Sequence, residues 1–465
     1  MPVLDAAFVL QATGADARGE CPVLPFTGVS TDSRSLQPGE LFVALSGPNF
    51  DGHDFLDRAF EAGAAAALVL RDAQPPSGNG HCLLEVEDTL TALGQLAAAW
   101  RREHSALVAA VTGSNGKTTT KEMLAAILGQ RHRVLATRGN LNNLIGLPLT
   151  LLRLREVHSA CVVEMGMNAP GEIARLTEIA APEAGVITNV GPAHIGMLGS
   201  LEAIAAAKGE LFDGLSPAAT AVVNLDDPFL APYAASLPWR VVSFGIDSMA
   251  EVRAGEIKAA GGGQTFVLDL AGETLRVRLA APGRHNVMNA LAAAATAWSL
   301  GQGADAVAAG LESFTPVAGR LALAGAPGGP AVVDDTYNAN PASVACGLSA
   351  AVSLAQGRPL VLILGDMKEL GDYAAELHRQ TGLLAAQAGC RLVVALGRHA
   401  EQVAQGAREG GMSPEQTLIF AVMDELLEEI TQLLDTRDLV LVKGSRSMAM
   451  ERVVARIGGG QGGAH

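Results

Sequence analysis

The run Val111-Thr112-Gly113-Ser114-Asn115-Gly116-Lys117-Thr118-Thr119 gathers the residue types needed to hold a polyphosphate. Gly113 and Gly116 keep side chains out of a tight loop, so backbone N–H groups can approach phosphate oxygens. The loop would open a helix, whose N-terminus favours negative charge. Lys117 would reach the β- and γ-phosphates, and the Thr118 hydroxyl would ligate Mg²⁺. Thr119 completes this candidate cradle. The motif departs from the general pattern in one way: its first Gly would fall at 111, which is Val. The plainer reading is a Gly turn before a helix.

Other chemically equipped residues stand at the ends of apolar runs. Glu164 follows one such run and is suited to hold Mg²⁺ or its water. His194, after Gly191-Pro192-Ala193, reads equally as a metal ligand, a base or an exposed loop histidine. Lys208 reads as a solvated helix residue, because a bare ammonium cannot ligate Mg²⁺; only a carbamate would supply oxygen there, and its spacing does not indicate one. Asn140-Leu141-Asn142-Asn143 would hold phosphates, orient a substrate or form an Asx turn. Asn286 would cap a helix, and Asn289, one turn on, carries an amide able to pair with adenine edges.

Two polar loops follow later strands: Asp334-Asp335-Thr336-Tyr337-Asn338-Ala339-Asn340-Pro341, and Lys443-Gly444-Ser445-Arg446. Near the start, Ser30-Thr31-Asp32-Ser33-Arg34 and the stretch around Asn49 offer hydroxyl, amide and guanidinium donors for phosphate and a nucleobase.

These residues need elements to position them. Ala106–Val111 is a buried strand feeding the Gly loop, and Thr119–Leu128 is the helix after it. Strands at 160–163, 185–188 and 220–224 alternate with helices at 171–180 and 201–212. That alternation predicts a parallel sheet with its chemistry at the carboxyl ends of the strands. Thr89–Arg102 and Asn286–Ser299 are helices, and 239–281 reads as short antiparallel strands. Strands at 331–333, 360–364, 392–396 and 439–442 predict a second doubly wound domain. Ala326–Pro330 reads as a Pro/Gly hairpin, and Gly458–Gly463 as a disordered tail. The expected fold is α/β in three domains: 1–85, small and N-terminal; 86–318, a central P-loop domain with a parallel sheet; and 319–465, Rossmann-like.

Composition narrows the function. A length of 465 residues with 49% hydrophobic and 17% charged residues fits a soluble multi-domain protein. A net charge of −15 argues against a nucleic-acid binder. No apolar run is long enough to span a bilayer. Cys21, Cys82, Cys161, Cys346 and Cys390 are widely spaced and form no C-x-x-C pair. They read as reduced thiols in the cytoplasm, without disulfides or zinc.

In this order, the motifs resemble the Mur ligases of peptidoglycan synthesis over nearly the whole chain. Thr112–Thr118, Glu164, His194, the helix of Lys208 and His285–Asn289 resemble the wider superfamily, which includes folylpolyglutamate synthetases. Asp32-Ser33-Arg34, Asp51-Gly52-His53, Gly139–Asn143, Asp335–Pro341 and Gly365–Gly371 resemble the members that join D-alanyl-D-alanine to a UDP-linked tripeptide. The resemblance implies ATP and two Mg²⁺ ions. It also implies an acyl phosphate on UDP-N-acetylmuramoyl-tripeptide, attacked by the amine of D-alanyl-D-alanine. It further implies Thr118 and Glu164 on one metal, with His194 and a carbamylated Lys208 on the other.

By the same resemblance, Lys117, His194 and Lys208 are catalytic, and Asn289, Arg320 and Asp335 surround the adenosine. Ser30, Thr31, Asp32, Ser33, Arg34 and Asn49 serve the UDP moiety, and Tyr337, Asn338, Asn340 and Arg446 are candidates for the amine substrate. A monomer is expected, with a hinge near Val317–Arg320 that brings Arg320 and Asp335 to ATP only when closed. Another amide ligase of the superfamily is the nearest alternative. A non-catalytic nucleotide switch is the more distant one, and it needs no second metal.

Overall fold

A computed structural model of the chain describes residues 3–47, 50–77, 80–193, 195–325 and 328–459. Asn49, His194, part of the expected Ala326–Pro330 hairpin and the end of the expected Gly458–Gly463 tail lie outside the described residues. The chain forms two compact units whose division passes inside two strands. The first holds Met1–Val111, Arg131–Gly185 and Glu210–Ala219, and the second the remainder.

The first unit contains a five-stranded sheet. Its strands are β1 (Asp16–Arg18), β2 (Val29–Ser30), β3 (Leu41–Val43), β4 (Ala66–Leu70) and β5 (Leu83–Val86), in the order β1-β5-β4-β3-β2. All neighbours are parallel except β1 on β5. Leu36, Phe42, Leu56, Val69 and Leu83 pack on one side of this sheet. The same unit carries β6 (Leu107–Thr112), β7 (Val134–Ala136) and β8 (Ala160–Glu164), parallel in the order β6-β8-β7. Every residue of β8 is buried, as expected of a parallel strand covered on both faces. The helix Thr89–Arg102 starts where the Asp88 carboxylate accepts the Thr91 N–H at 2.6 Å.

The second unit carries β9 (Ala184–Ile187), β10 (Thr220–Asn224), β11 (Val241–Gly245), β12 (Val252–Ala260), β13 (Gly263–Leu270) and β14 (Glu273–Leu279), in that order across the sheet. β12, β13 and β14 pair antiparallel, and β13 buries alternate residues, the mark of a sheet with one solvated face. The expectation of antiparallel strands over all of 239–281 is corrected at β11, which pairs parallel with both β10 and β12. Its apolar run is too short for periodicity to reveal strand direction. The helix Lys117–Leu128 packs on the Ala-rich helix Arg284–Ser299, whose small buried residues allow close approach.

A six-stranded sheet completes this unit. Its strands are β15 (Ala322–Ala324), β16 (Ala331–Asp335), β17 (Leu360–Gly365), β18 (Cys390–Leu396), β19 (Thr417–Phe420) and β20 (Leu439–Lys443). The order is β15-β16-β20-β17-β18-β19, parallel except for β15 on β16. Apolar clusters cover both of its faces, which makes it the doubly wound sheet expected of the last third.

The cysteine reading is corrected. Cys21 and Cys82 form a disulfide with Cα atoms 4.7 Å apart, across a sequence separation of 61. The antiparallel pairing of Arg18 with Leu83 brings these two distant positions together, and spacing alone does not carry that information. Cys161, Cys346 and Cys390 are free thiols.

Candidate active site

The Gly loop lies between β6 and the helix Lys117–Leu128. Gly116 caps that helix with φ +81°, a left-handed conformation that glycine adopts without strain. A Cβ there would also overlap the Asn289 Oδ1. The helix therefore begins at Lys117, two residues before the sequence expectation.

The loop is clamped by residues that sequence reasoning left unassigned. Asn189 Oδ1 accepts the Asn115 N–H at 3.0 Å, and its Nδ2 donates to the Asn115 carbonyl at 3.0 Å. The Thr188 hydroxyl donates to the same carbonyl at 2.6 Å. Ser114 Oγ accepts the Gly191 N–H at 2.9 Å. The Asp227 carboxylate accepts the Val190 N–H at 2.7 Å, and burial raises its pKa. Their signal in the sequence was position: both Asn189 and Asp227 stand just past strands that end beside the loop.

Lys117 Nζ donates to the Gly113 carbonyl at 2.8 Å and to the Ser114 carbonyl at 3.4 Å, so its ammonium lies across the mouth of the loop. Arg320 Nη2 donates to Thr118 Oγ1 at 2.8 Å, and its guanidinium lies 4.1 Å over the Tyr337 ring. Arg320 thus already touches the loop in this structure. Asn289 Nδ2 donates to Asn286 Oδ1 at 3.1 Å. The capping expectation for Asn286 is corrected: Gly283 is the cap, and Asn286 Nδ2 donates to the Pro282 carbonyl at 2.7 Å.

Lys208 is almost wholly buried, at 2% exposure. Burial first, and then the like charge of Lys117, hold its pKa well below the ordinary lysine value. That burial removes the solvated-helix reading. Among the described residues, no group of three or more His, Cys, Asp or Glu is placed to hold a metal.

The polar loop after β16 meets the Gly loop. Asn340 Oδ1 accepts the Ser343 N–H at 2.9 Å, capping the next helix, while its Nδ2 donates to Asn115 Oδ1 at 2.8 Å. Asp335 is largely covered and pairs with buried Lys443, with Nζ to Oδ2 at 2.6 Å, and Lys443 also donates to the Asn338 carbonyl at 2.9 Å. Burial raises the Asp335 pKa despite that lysine. A cavity of about 70 Å³ is lined by Ser114 and Lys117 on one side and by Asn338, Asn340, Lys368 and Ser445 on the other. Arg446 is outside it and pairs with Glu451 at 2.9 Å. Lys368, which the sequence reading did not single out, is the cation on the side of the polar loops, opposite Lys117, and its Nζ donates to Asp366 at 3.1 Å.

In the first unit, Glu164 is buried at the end of β8, where Asn142 Nδ2 donates to its Oε1 at 2.9 Å. Asn142 therefore orients the carboxylate. A cavity of about 380 Å³ is lined by Thr27–Asp32, Ser35 and Glu40 and, opposite, by Leu149, Leu152, Arg153 and Arg155. Ser30, Thr31 and Asp32 are in its wall, whereas Ser33 and Arg34 are not. Arg34 instead grips Asp32 through contacts of 2.9 and 2.7 Å, which lower the Asp32 pKa to about 2.

Comparison with known proteins accords with this geometry. The sequence matches the family models "Mur ligase family, catalytic domain" over residues 25–101, "Mur ligase middle domain" over 111–297, and "Mur ligase, glutamate ligase domain" over 319–446. UDP-N-acetylmuramoyl-tripeptide–D-alanyl-D-alanine ligase of Bacillus subtilis is 37% identical over 452 residues, covering 97% of each chain. The crystal structure of MurF from Acinetobacter baumannii superposes with a TM-score of 0.91 at 34% identity, covering 98% of this chain and 99% of that one. MurF ligase from Thermotoga maritima in complex with ADP superposes at 0.81 with 28% identity, covering 93% and 97%. A loop built to hold phosphate, set beside a polar loop across a small cavity, in a chain alike over its full length, places this protein in the Mur ligase family.

Proposed function

We propose that this chain is an ATP-dependent ligase that joins D-alanyl-D-alanine to UDP-N-acetylmuramoyl-tripeptide in the cytoplasm, as a monomer, supplying peptidoglycan precursor. The observation that carries this reading is the cavity where Lys117 faces Asn338, Asn340 and Lys368. A phosphate-holding loop and an amine-reading loop meet there, as a ligase requires.

The loop amides and Lys117 hold the triphosphate, and Lys117 exchanges its carbonyl acceptors for phosphate oxygens. The γ-phosphoryl group passes to the terminal carboxylate of the tripeptide, which gives a poor electrophile a leaving group. The amine of D-alanyl-D-alanine attacks the acyl carbon, loses a proton, and expels phosphate. Asn289, Arg320 and Asp335 are assigned to the adenosine side, with Arg320 near Thr118 and Asp335 acting through Lys443. We assign residues 1–85 to the UDP substrate, 86–318 to ATP and 319–465 to the amine.

Bound Mg²⁺ would neutralise charge on the transferring phosphoryl group. Mg²⁺ wants oxygen ligands, and we assign Thr118 and Glu164 to it from the family resemblance. Lys208, buried and with its pKa lowered by that burial, is assigned to take up CO₂ as a carbamate, which would supply more oxygen. His194 completes the proposed set.

An amine panel tests the reading. Product mass should report D-alanyl-D-alanine as the preferred acceptor over D-alanine, L-alanine, glutamate and diaminopimelate. Preference for glutamate or diaminopimelate would move the chain to another branch of the family.

A further inference from the structure

We infer that Arg153 reads the diphosphate of the nucleotide-linked substrate in the 380 Å³ cavity of the first unit. This inference rests on the ligase reading above. The cavity is within the size range of small-molecule sites, and its wall at Val29–Asp32 offers hydroxyls and backbone groups at a strand end. A diphosphate placed there needs a cation.

The cation that the sequence offers first, Arg34, is committed. Its guanidinium forms a two-point grip on Asp32, is 74% exposed and does not line the cavity. Arg155 lines the cavity, but it donates to the Leu152 and Leu154 carbonyls at 3.0 and 2.8 Å and to the Thr27 carbonyl at 3.5 Å. The first two bonds hold it to its own segment, and the third reaches the opposite wall.

Arg153 differs from both. It is half-buried in the cavity wall, and its guanidinium has no hydrogen bond or ion pair with any described residue. The charges that act on it are Arg138 and Arg155, and burial together with these like charges lowers its pKa. The Arg138 guanidinium likewise has no described partner. In a chain of net charge −15, a partly desolvated arginine gathered with cations and left without a carboxylate is costly by itself. A diphosphate relieves that cost, and the planar fork of arginine suits two phosphate oxygens at once. The acidic residues of the cavity are elsewhere engaged: Asp32 with Arg34, and Glu40 with the Gln37 N–H at 2.8 Å.

The test compares UDP with uridine as ligands of the full chain, by calorimetry, for wild type, Arg153→Gln and Arg153→Lys. Wild type should bind UDP more tightly than uridine. Arg153→Gln should lose about 10- to 100-fold in UDP affinity and leave uridine unchanged. Arg153→Lys should fall between them, since a point charge replaces a fork. The Michaelis constant for the UDP-tripeptide should rise in step while that for ATP stays. Unchanged UDP affinity in either folded variant, or equal loss for UDP and uridine, would overturn the inference. If wild type binds neither, the ligase reading falls and takes this inference with it.

Discussion

At the scale of single residues, the proposed chemistry turns on two lysines in different surroundings. Lys117 lies across the phosphate loop as a donor to two carbonyls. Lys208 is buried, and desolvation lowers its pKa. Lys208→Ala should reduce turnover by about a hundredfold or more, as for loss of a group stabilising transition-state charge, and added acetate or formate should restore part of it. Carbon-13 NMR of protein equilibrated with labelled CO₂ should show a carbamate signal in wild type and none in Lys208→Ala. An identical spectrum from both proteins sinks the carbamate assignment. For amine choice we propose a different lysine. Lys368 lines the cavity while Arg446 is paired with Glu451, so Lys368→Ala should raise the Michaelis constant for D-alanyl-D-alanine about tenfold and leave that for ATP unchanged. A larger effect from Arg446→Ala than from Lys368→Ala would return the role to Arg446. The sequence made Arg446 the visible candidate because it follows a strand end. It could not reveal that Glu451, five residues on, is placed to take its charge.

At the scale of elements, much of the fold was legible where local chemistry decides it. Thr89–Arg102 and Thr220–Asn224 have the bounds expected, the first because Asp88 caps it and the second because an apolar run stops at a polar turn. Pairing across long sequence distances was not legible. The Cys21–Cys82 bond, the parallel direction of β11 and the burial of Lys208 each depend on which strands and helices become neighbours. The loop after β16 rests on one such distant contact, Asp335 with Lys443. Lys443→Met leaves a largely covered carboxylate without its counter-charge and should cost about 3–5 kcal/mol of stability, measured by denaturant titration. A loss below about 1 kcal/mol would mean that Asp335 is satisfied without Lys443. The start of the helix Arg284–Ser299 adds a pH term. Burial, then the charge of Lys443, lower the His285 pKa from 6.5 to about 4. Above pH 6.5 the ring is neutral in both states and contributes nothing. As pH falls from 6.5 to 4, the unfolded chain takes up the proton and the native chain does not. Stability should therefore decline by up to about 3 kcal/mol over that window. His285→Gln should flatten that decline; an unchanged slope would place the pH dependence elsewhere.

At the scale of the whole molecule, length and composition set a multi-domain α/β protein, and three family matches in chain order bear out that architecture. No described helix is long and apolar enough to cross a membrane. An acidic chain that handles polyanionic substrates must concentrate its cations locally, and it does so at Lys117 beside Arg320 and at Arg153 beside Arg138. The reaction assigned to this chain couples ATP cleavage to two further substrates. The most direct test of that coupling is ADP release from ATP in the presence of UDP-N-acetylmuramoyl-tripeptide, with and without D-alanyl-D-alanine. Sustained release only when both are present, with one ligated product per ADP, is the predicted result. Release at the same rate without the dipeptide, or none with it, would contradict the account.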